Sequence, residues 1–209
     1  MKQAKCKICR RLGDKLFLKG EKCLGSKCAM IKRPFAPGQK AKKRRGNLTE
    51  FGREMREKQK VKKWYNISES QFKAYVYEVM ENRGSESDVG TQLISKLESR
   101  LDNIIFRMGW AKSRGQARLL VTHGHFLVNA RKVDIPSYRI SVGDTISIRE
   151  GSKSKEALKG VPEAMKKYSL PKWLSFDGSK IEGKVMRYPT PEDVQLPSEV
   201  STIFEHYSR

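Results

Sequence analysis

The chain has 209 residues, 37% of them hydrophobic, with 44 Lys and Arg against 23 Asp and Glu, a formal net charge of +21 and a mean hydropathy of −0.67. That length and composition allow one or two small domains but not a single large apolar core, and no run of 18 apolar residues offers a membrane span. A charge this far beyond what solubility needs repels itself and points to a polyanionic partner; nucleic acid is favoured over an acidic membrane because the basic segment lacks a bulky amphipathic face. The first 65 residues hold 22 of the basic residues and only 5 of the acidic ones, and no apolar leader precedes them, so the expectation is a basic N-terminal third on a chain made and kept in the cytoplasm.

All four cysteines lie at the start, as Cys6-x2-Cys9 and Cys23-x4-Cys28 with thirteen residues between the pairs. Two close pairs can offer four thiolates to one tetrahedral zinc ion, and four such ligands leave no open position, so the expected ion is structural. Two disulfides and an iron–sulfur cluster are the alternatives. Lys5, Lys7, Arg10, Arg11, Lys22 and Lys27 are expected to lower the thiol pKa values and favour metal uptake. Next, KRPFAPGQKAKKRRG from Lys32 to Gly46 is denied a helix by Pro34, Pro37 and Gly38. It reads as an extended arm whose Lys40, Lys42, Lys43, Arg44 and Arg45 meet phosphates. Knuckle and arm make a first segment, 1–46.

Two helices follow. The first, from about Thr49 to Tyr65, places Phe51, Met55, Val61, Trp64 and Tyr65 on one side and Arg53, Arg56, Lys60, Lys62 and Lys63 largely elsewhere, as candidate RNA contacts. The second opens with a capping box of Ser68 and Gln71, carries Phe72, Tyr75, Val76, Val79 and Met80 as its stripe, and ends between Asn82 and Gly84. A third helix runs up to Met108 through Leu93, Leu97, Leu101, Ile104 and Ile105, with Gly109 as a left-handed cap. Ser113 and Gln116 then form a second capping box on a helix that buries Ala117, Leu120 and Val121, exposes Arg114 and Arg118, and closes at Gly124. Phe126 and Val128 alternate into a turn at Asn129, and Ile146 and Ile148 alternate again after Gly143 and Asp144. Lys112, Ser113, Arg114, Gln116, Arg118, His123, Asn129, Arg131 and Lys132 are the candidate RNA contacts of this helix-helix-ribbon module, 98–151.

Beyond Gly151 the chain suggests a helical linker broken near Pro162, a short strand at Trp173, Leu174 and Phe176 answered by Ile181 and Val185, and a closing helix from about Pro197 with Val200, Ile203, Phe204 and Tyr207 on one face. With 10 basic against 8 acidic residues from Ser152 to Arg209, this segment is too balanced to be a main RNA contact, and it is expected to complete the helical domain of 47–97. The expected class is α+β: a mostly helical domain with an N-terminal zinc knuckle, and a separate helix-helix-β-ribbon domain.

The run SRGQARLLVTHGHFLVNARKVDIPSYRISVGD from Ser113 to Asp144 resembles the RNA-binding domain named after ribosomal protein S four, which also recurs in some pseudouridine synthases and tyrosyl-tRNA synthetases. REKQKVKKWY, RLDNIIFRMG, HGHFLVN, IPSYR and the terminal EHYSR extend the resemblance to the bacterial ribosomal protein S four family over the full length, in its four-cysteine, zinc-binding form. The resemblance implies a primary binder of small-subunit (16S) ribosomal RNA that grips a multi-helix junction and nucleates assembly of the subunit body. It also implies a place beside ribosomal protein S five, close to where messenger RNA enters, an effect on translational accuracy and, in some members, repression of the protein's own messenger. Membranes and small-molecule substrates have no place in it. Two departures stand out: Ala130 follows Asn129 where the family usually has Gly, so a different or strained turn is expected, and Pro191 stands where many relatives have Arg.

An RNA-modifying enzyme is the first rival, but only about 60 residues follow the module, too few for a large catalytic β-domain with a placed Asp. A zinc-containing DNA regulator is the second, and the segment between Cys9 and Cys23 shows no clear helical period for a recognition helix. His123, His125 and His206 lack a neighbouring nucleophile or metal partner in sequence and read as packing or phosphate-contacting residues.

Overall fold

The computed structural model describes residues 4–38, 47–82, 88–165 and 168–208; Lys40, Lys42, Lys43, Arg44 and Arg45 of the expected arm lie outside the described residues. The helices in chain order are α1 (Lys5–Leu12), α2 (Ala29–Lys32), α3 (Glu50–Tyr65), α4 (Glu69–Glu81), α5 (Val89–Glu98), α6 (Leu101–Arg107), α7 (Arg114–Thr122), α8 (Glu150–Lys153), α9 (Glu156–Lys159), α10 (Val161–Met165) and α11 (Val200–Ser208). The strands are β1 (Phe126–Val128), β2 (Arg131–Lys132), β3 (Thr145–Ile148), β4 (Leu174–Asp177) and β5 (Glu182–Val185). Packing divides the chain into two units, residues 1–85 with 196–209, and residues 86–195. No described helix is long and apolar enough to cross a membrane.

In the first unit, Thr49 caps α3 by accepting from the Gly52 N–H at 3.2 Å, and Asn66, in the left-handed region at φ 58°, ends it. Ser68 likewise caps α4, whose Phe72, Val76 and Val79 are fully buried. The inward face of α3 is not the apolar side expected. Val61 and Tyr65 are buried, but so are Glu54, Lys58 and Lys62, while Phe51 and Met55 are exposed. The reason is a polar clamp: Lys58 and Lys62 both bond Glu69 of α4, Lys58 at 2.8 Å, and the Tyr207 hydroxyl of α11 donates to the same carboxylate at 3.2 Å. Helix α1, absent from the sequence reading, ends at Gly13 (φ 80°), and the Arg56 guanidinium of α3 donates to its last carbonyl, Leu12, through Nε at 2.8 Å.

The second unit is built on an antiparallel sheet of order β2-β1-β3-β5-β4. One core joins α6 and α7 to this sheet through Ile104, Ile105, Met108, Ala117, Val121, Phe126, Ile146 and Val185. Residues 152–195, expected with the helical domain, pack here instead, because β5 pairs with β3 and buries Val185 while Trp173 and Leu174 of the β4 arm enter the same core. Gly183 lets β5 pass close over Met108: a Cβ there would stand 2.3 Å from the Met108 methyl, so the Met side chain would have to shift. Only the last helix returns to the first unit, with Ile203 fully buried.

The helix expected to run unbroken to Met108 is two helices. Arg100 is extended (φ −68°, ψ 137°) and forms a β-bridge with Arg139, while Ile140 N–H donates to Ser99 at 2.9 Å, so the backbone turns aside between α5 and α6. Gly109 (φ 74°) does end α6, with its own N–H on the Phe106 carbonyl and that of Trp110 on Ile105.

Asn129 (φ 48°) and Ala130 (φ 64°) form a two-residue turn between β1 and β2 with both residues left-handed, so the departure from Asn-Gly leaves the turn geometry in place and the strain on Ala130. Ala130→Gly should therefore raise stability by about 1 kcal/mol. Thermal or urea unfolding of the full chain checks this, and an unchanged or lowered midpoint would mean the turn carries no strain.

Candidate nucleic-acid interface

Charge in the second unit is organised around a buried polar seam. Glu98, fully buried at the end of α5, accepts two bonds from the Arg107 guanidinium at 2.8 and 2.6 Å and one from the Asn103 amide at 2.6 Å. Asn103 Oδ1 accepts in turn from Arg114 Nε at 2.9 Å, and the Arg114 guanidinium lies 4.5 Å from the centre of the Phe106 ring. Alongside, buried Arg100 pairs with Asp102 through two bonds at 3.0 and 2.8 Å, and Asp102 also draws Arg118 Nη1 to 3.5 Å. Such groups are costly to desolvate, and dense, two-bonded pairing is what offsets that cost.

The expected exposed ridge of Arg114 and Arg118 is thereby corrected. Arg114 is the first residue of α7, and its side chain lies buried across the α6–α7 corner on Phe106, whereas the Arg118 side chain remains 42% exposed. Ser113 and Gln116 are committed to the helix end: Ser113 Oγ accepts from the Gln116 N–H at 3.3 Å, and Gln116 Oε1 accepts from the Lys112 N–H at 2.9 Å, one residue earlier than a capping box requires. Asn129 accepts from the Thr145 N–H at 3.0 Å and donates to Asp144 at 2.7 Å, pinning the β1–β2 turn to β3. Lys112 is exposed before α7, Arg131 and Lys132 are exposed on edge strand β2, and His123 is exposed with its ring 5.9 Å from that of His125. His125 is buried, its Nδ1 3.0 Å from Ser152 Oγ; burial, then Lys155, His123 and Arg149 nearby, push its pKa down, so it packs as a neutral ring.

On α3 the candidate cations divide. Arg53 is exposed and Lys63 half-buried, the latter with its pKa lowered by burial and by neighbouring Lys62. Arg56 is spent on the Leu12 carbonyl, and Lys60 bridges Asp14 and Glu57, both at 2.7 Å. Lys62 is buried on Glu69; although partial burial opposes ionisation there, bonds from Lys58 and Lys62 hold the Glu69 carboxyl down to about 2. Helical periodicity marked these residues as off the apolar stripe, and it could not show that Phe51 and Met55 of that stripe face solvent instead.

The four cysteines line one pocket with Lys5, Lys15, Leu18, Lys19, Ala29 and Met30. Cys9, Cys23 and Cys28 are buried, and the Lys19 N–H donates to Cys23 Sγ at 3.4 Å. Burial pushes the Cys9 thiol up, a bond from the Leu16 backbone opposes it, and the other three cysteines push it up further, so the expected lowering by flanking cations does not hold at Cys9. Among the described residues no three His, Cys, Asp or Glu side chains are grouped so as to hold a metal ion. Four cysteines lining one pocket fit a thiolate-bound ion in donor chemistry, although the described side chains are not gathered into a ligand set.

Two helices feeding an antiparallel ribbon, with Arg131 and Lys132 exposed on its edge and Arg118 half-buried on α7, define a module of the RNA-binding class. The family described as S4 domain matches residues 99–146, and that described as Ribosomal protein S4/S9 N-terminal domain matches residues 1–98. Small ribosomal subunit protein uS4 of Caldicellulosiruptor saccharolyticus is 47% identical over 98% of this chain and 96% of its own length. The uS4 proteins of Acetivibrio thermocellus (45%; 99% and 97% covered) and Thermotoga maritima (48%; 98% and 96% covered) are similar. The chain belongs to the uS4 family. These relatives are named as ribosomal proteins and not as enzymes, which sets aside the RNA-modifying rival.

Arg114→Ala should cost about 1–3 kcal/mol of stability by leaving Asn103 unsatisfied, whereas Arg118→Ala should cost under about 1 kcal/mol. Urea unfolding of both variants checks the contrast; equal losses would place Arg114 outside the seam.

Proposed function

We propose that the protein is a structural constituent of the small ribosomal subunit and binds small-subunit ribosomal RNA at a multi-helix junction, nucleating assembly of the subunit body. The observation that carries this reading is near-complete coverage by proteins of that name at 45–48% identity. The physical support is a basic chain whose module carries exposed Arg131 and Lys132 and half-buried Arg118 on ordered elements, suited to reading phosphate spacing on A-form RNA. Its place is the ribosome in the bacterial cytoplasm. A position beside ribosomal protein S five near the incoming messenger, and a bearing on accuracy, follow from the family resemblance of RLDNIIFRMG, HGHFLVN and IPSYR. Binding to small-subunit ribosomal RNA, titrated across salt concentrations, should be specific and weaken as salt rises, and replacing Arg131 and Lys132 by Ala should lower the log–log slope by roughly one to two units. Equal affinity for an unrelated structured RNA of the same length would overturn the reading.

We also propose that Cys6, Cys9, Cys23 and Cys28 hold one structural zinc ion. Support comes from their shared pocket, their spacing and the N–H donors at Cys9 and Cys23. Bound there, zinc would supply local folding on the order of 10 kcal/mol and no reaction chemistry. Native mass spectrometry of the reduced chain should show one zinc per chain, lost in Cys9→Ser; a metal-free spectrum after zinc supplementation would remove the idea.

A further inference from the structure

Between β2 and β3 the loop 133–144 turns large side chains to solvent, with Ile135 55% and Tyr138 41% exposed. Its backbone is nevertheless anchored. The carbonyls of Pro136 and Tyr138 accept from the N–H groups of Asp102 and Leu101 at 3.1 and 2.9 Å, satisfying first-turn donors that α6 itself leaves unpaired. One residue on, Arg139 bridges to Arg100, and Ile140 is fully buried. Tyr138 is therefore an exposed ring on a segment held on both sides, so occupying it costs little ordering entropy.

Two cations lie close to that anchor. Asp102, whose N–H holds Pro136, is the residue that draws Arg118 of α7 to 3.5 Å, and Arg139 is itself exposed. Side chains cannot read bases in the deep major groove of A-form RNA, so base contacts fall on unpaired nucleotides beside the gripped helix, and an exposed aromatic among cations is the surface that receives them. We propose that Tyr138 stacks on an unpaired base of the bound RNA, next to the phosphates met by Arg118. The proposal rests on the RNA-binding reading above. Exposed Arg139, next to it in the chain, and Arg118, held on the Asp102 that anchors Pro136, favour RNA over an apolar protein surface as the occupant.

The test uses the full chain and transcribed small-subunit ribosomal RNA, with binding measured at several salt concentrations. Tyr138→Ala should weaken binding roughly five- to a hundredfold with the salt slope unchanged, since stacking is lost and no phosphate contact is. Tyr138→Leu, apolar but without a π face, should fall with it, while Tyr138→Phe stays near wild type. The anchor uses the backbone carbonyl, so thermal midpoints should not move. Wild-type affinity in Tyr138→Ala or Tyr138→Leu, a loss in Tyr138→Phe equal to that in Tyr138→Ala, or a changed salt slope would overturn the proposal, the first two marking the ring as unused or covered by protein. A wild-type chain with no preference for this RNA would instead overturn the function itself.

Discussion

Arg100 and Asp102 stand at the point where the second unit takes its shape. Their two-bonded pair is buried, and it can exist only if the backbone leaves the helix at Arg100, because an extended residue there meets the bridge from Arg139 and frees the first N–H groups of α6 for the Pro136 and Tyr138 carbonyls. From that turn the rest follows: Asn103 and Arg107 are presented to Glu98, Arg114 reaches back to Asn103, and the start of α7 is fixed over Phe106. Removing one charge from such a seam strands its partner in a dry environment, so the seam behaves as a unit. What it positions is the outward side of the module, the Arg118 guanidinium and the anchored loop.

A comparable device closes the first unit, but with the burden placed on lysine. Lys58 and Lys62 enter the interior stem first and end on Glu69, which also accepts from Tyr207, while the Tyr207 ring lies 5.1 Å from the Lys58 ammonium. A basic protein thus withdraws part of its charge into its own packing. The cations that remain exposed are fewer than the sequence offers.

Much of this was legible from the residues. The caps at Ser68 and Ser113, the left-handed end at Gly109 and the alternation at Phe126, Val128, Ile146 and Ile148 all announce elements that form, because each is a local rule with a short-range cause. The break at Arg100 was not legible, since its cause is a bridge to a residue 39 positions away. Nor was the burial of Arg114 and Lys62: charge predicts exposure on average, and only the partner across the fold, Asn103 or Glu69, reverses it. The assignment of residues 152–195 failed for the same reason, as strand alternation says that a hairpin exists but not which sheet it extends.

The division of the chain also sets a timetable. Helix α11 packs on α3, yet residues 86–195 must be synthesised between them. At usual rates of elongation the helical unit waits on the order of 10 s, incomplete, while the other unit is made and folds. During that interval α3 exposes the face that α11 will cover, and that face carries Glu54 and Lys58, which meet His206 and Tyr207, beside a single ring, Phe51. A leucine stripe there would invite association with other nascent chains; a charged one keeps the unfinished half soluble until its last helix emerges from the exit tunnel.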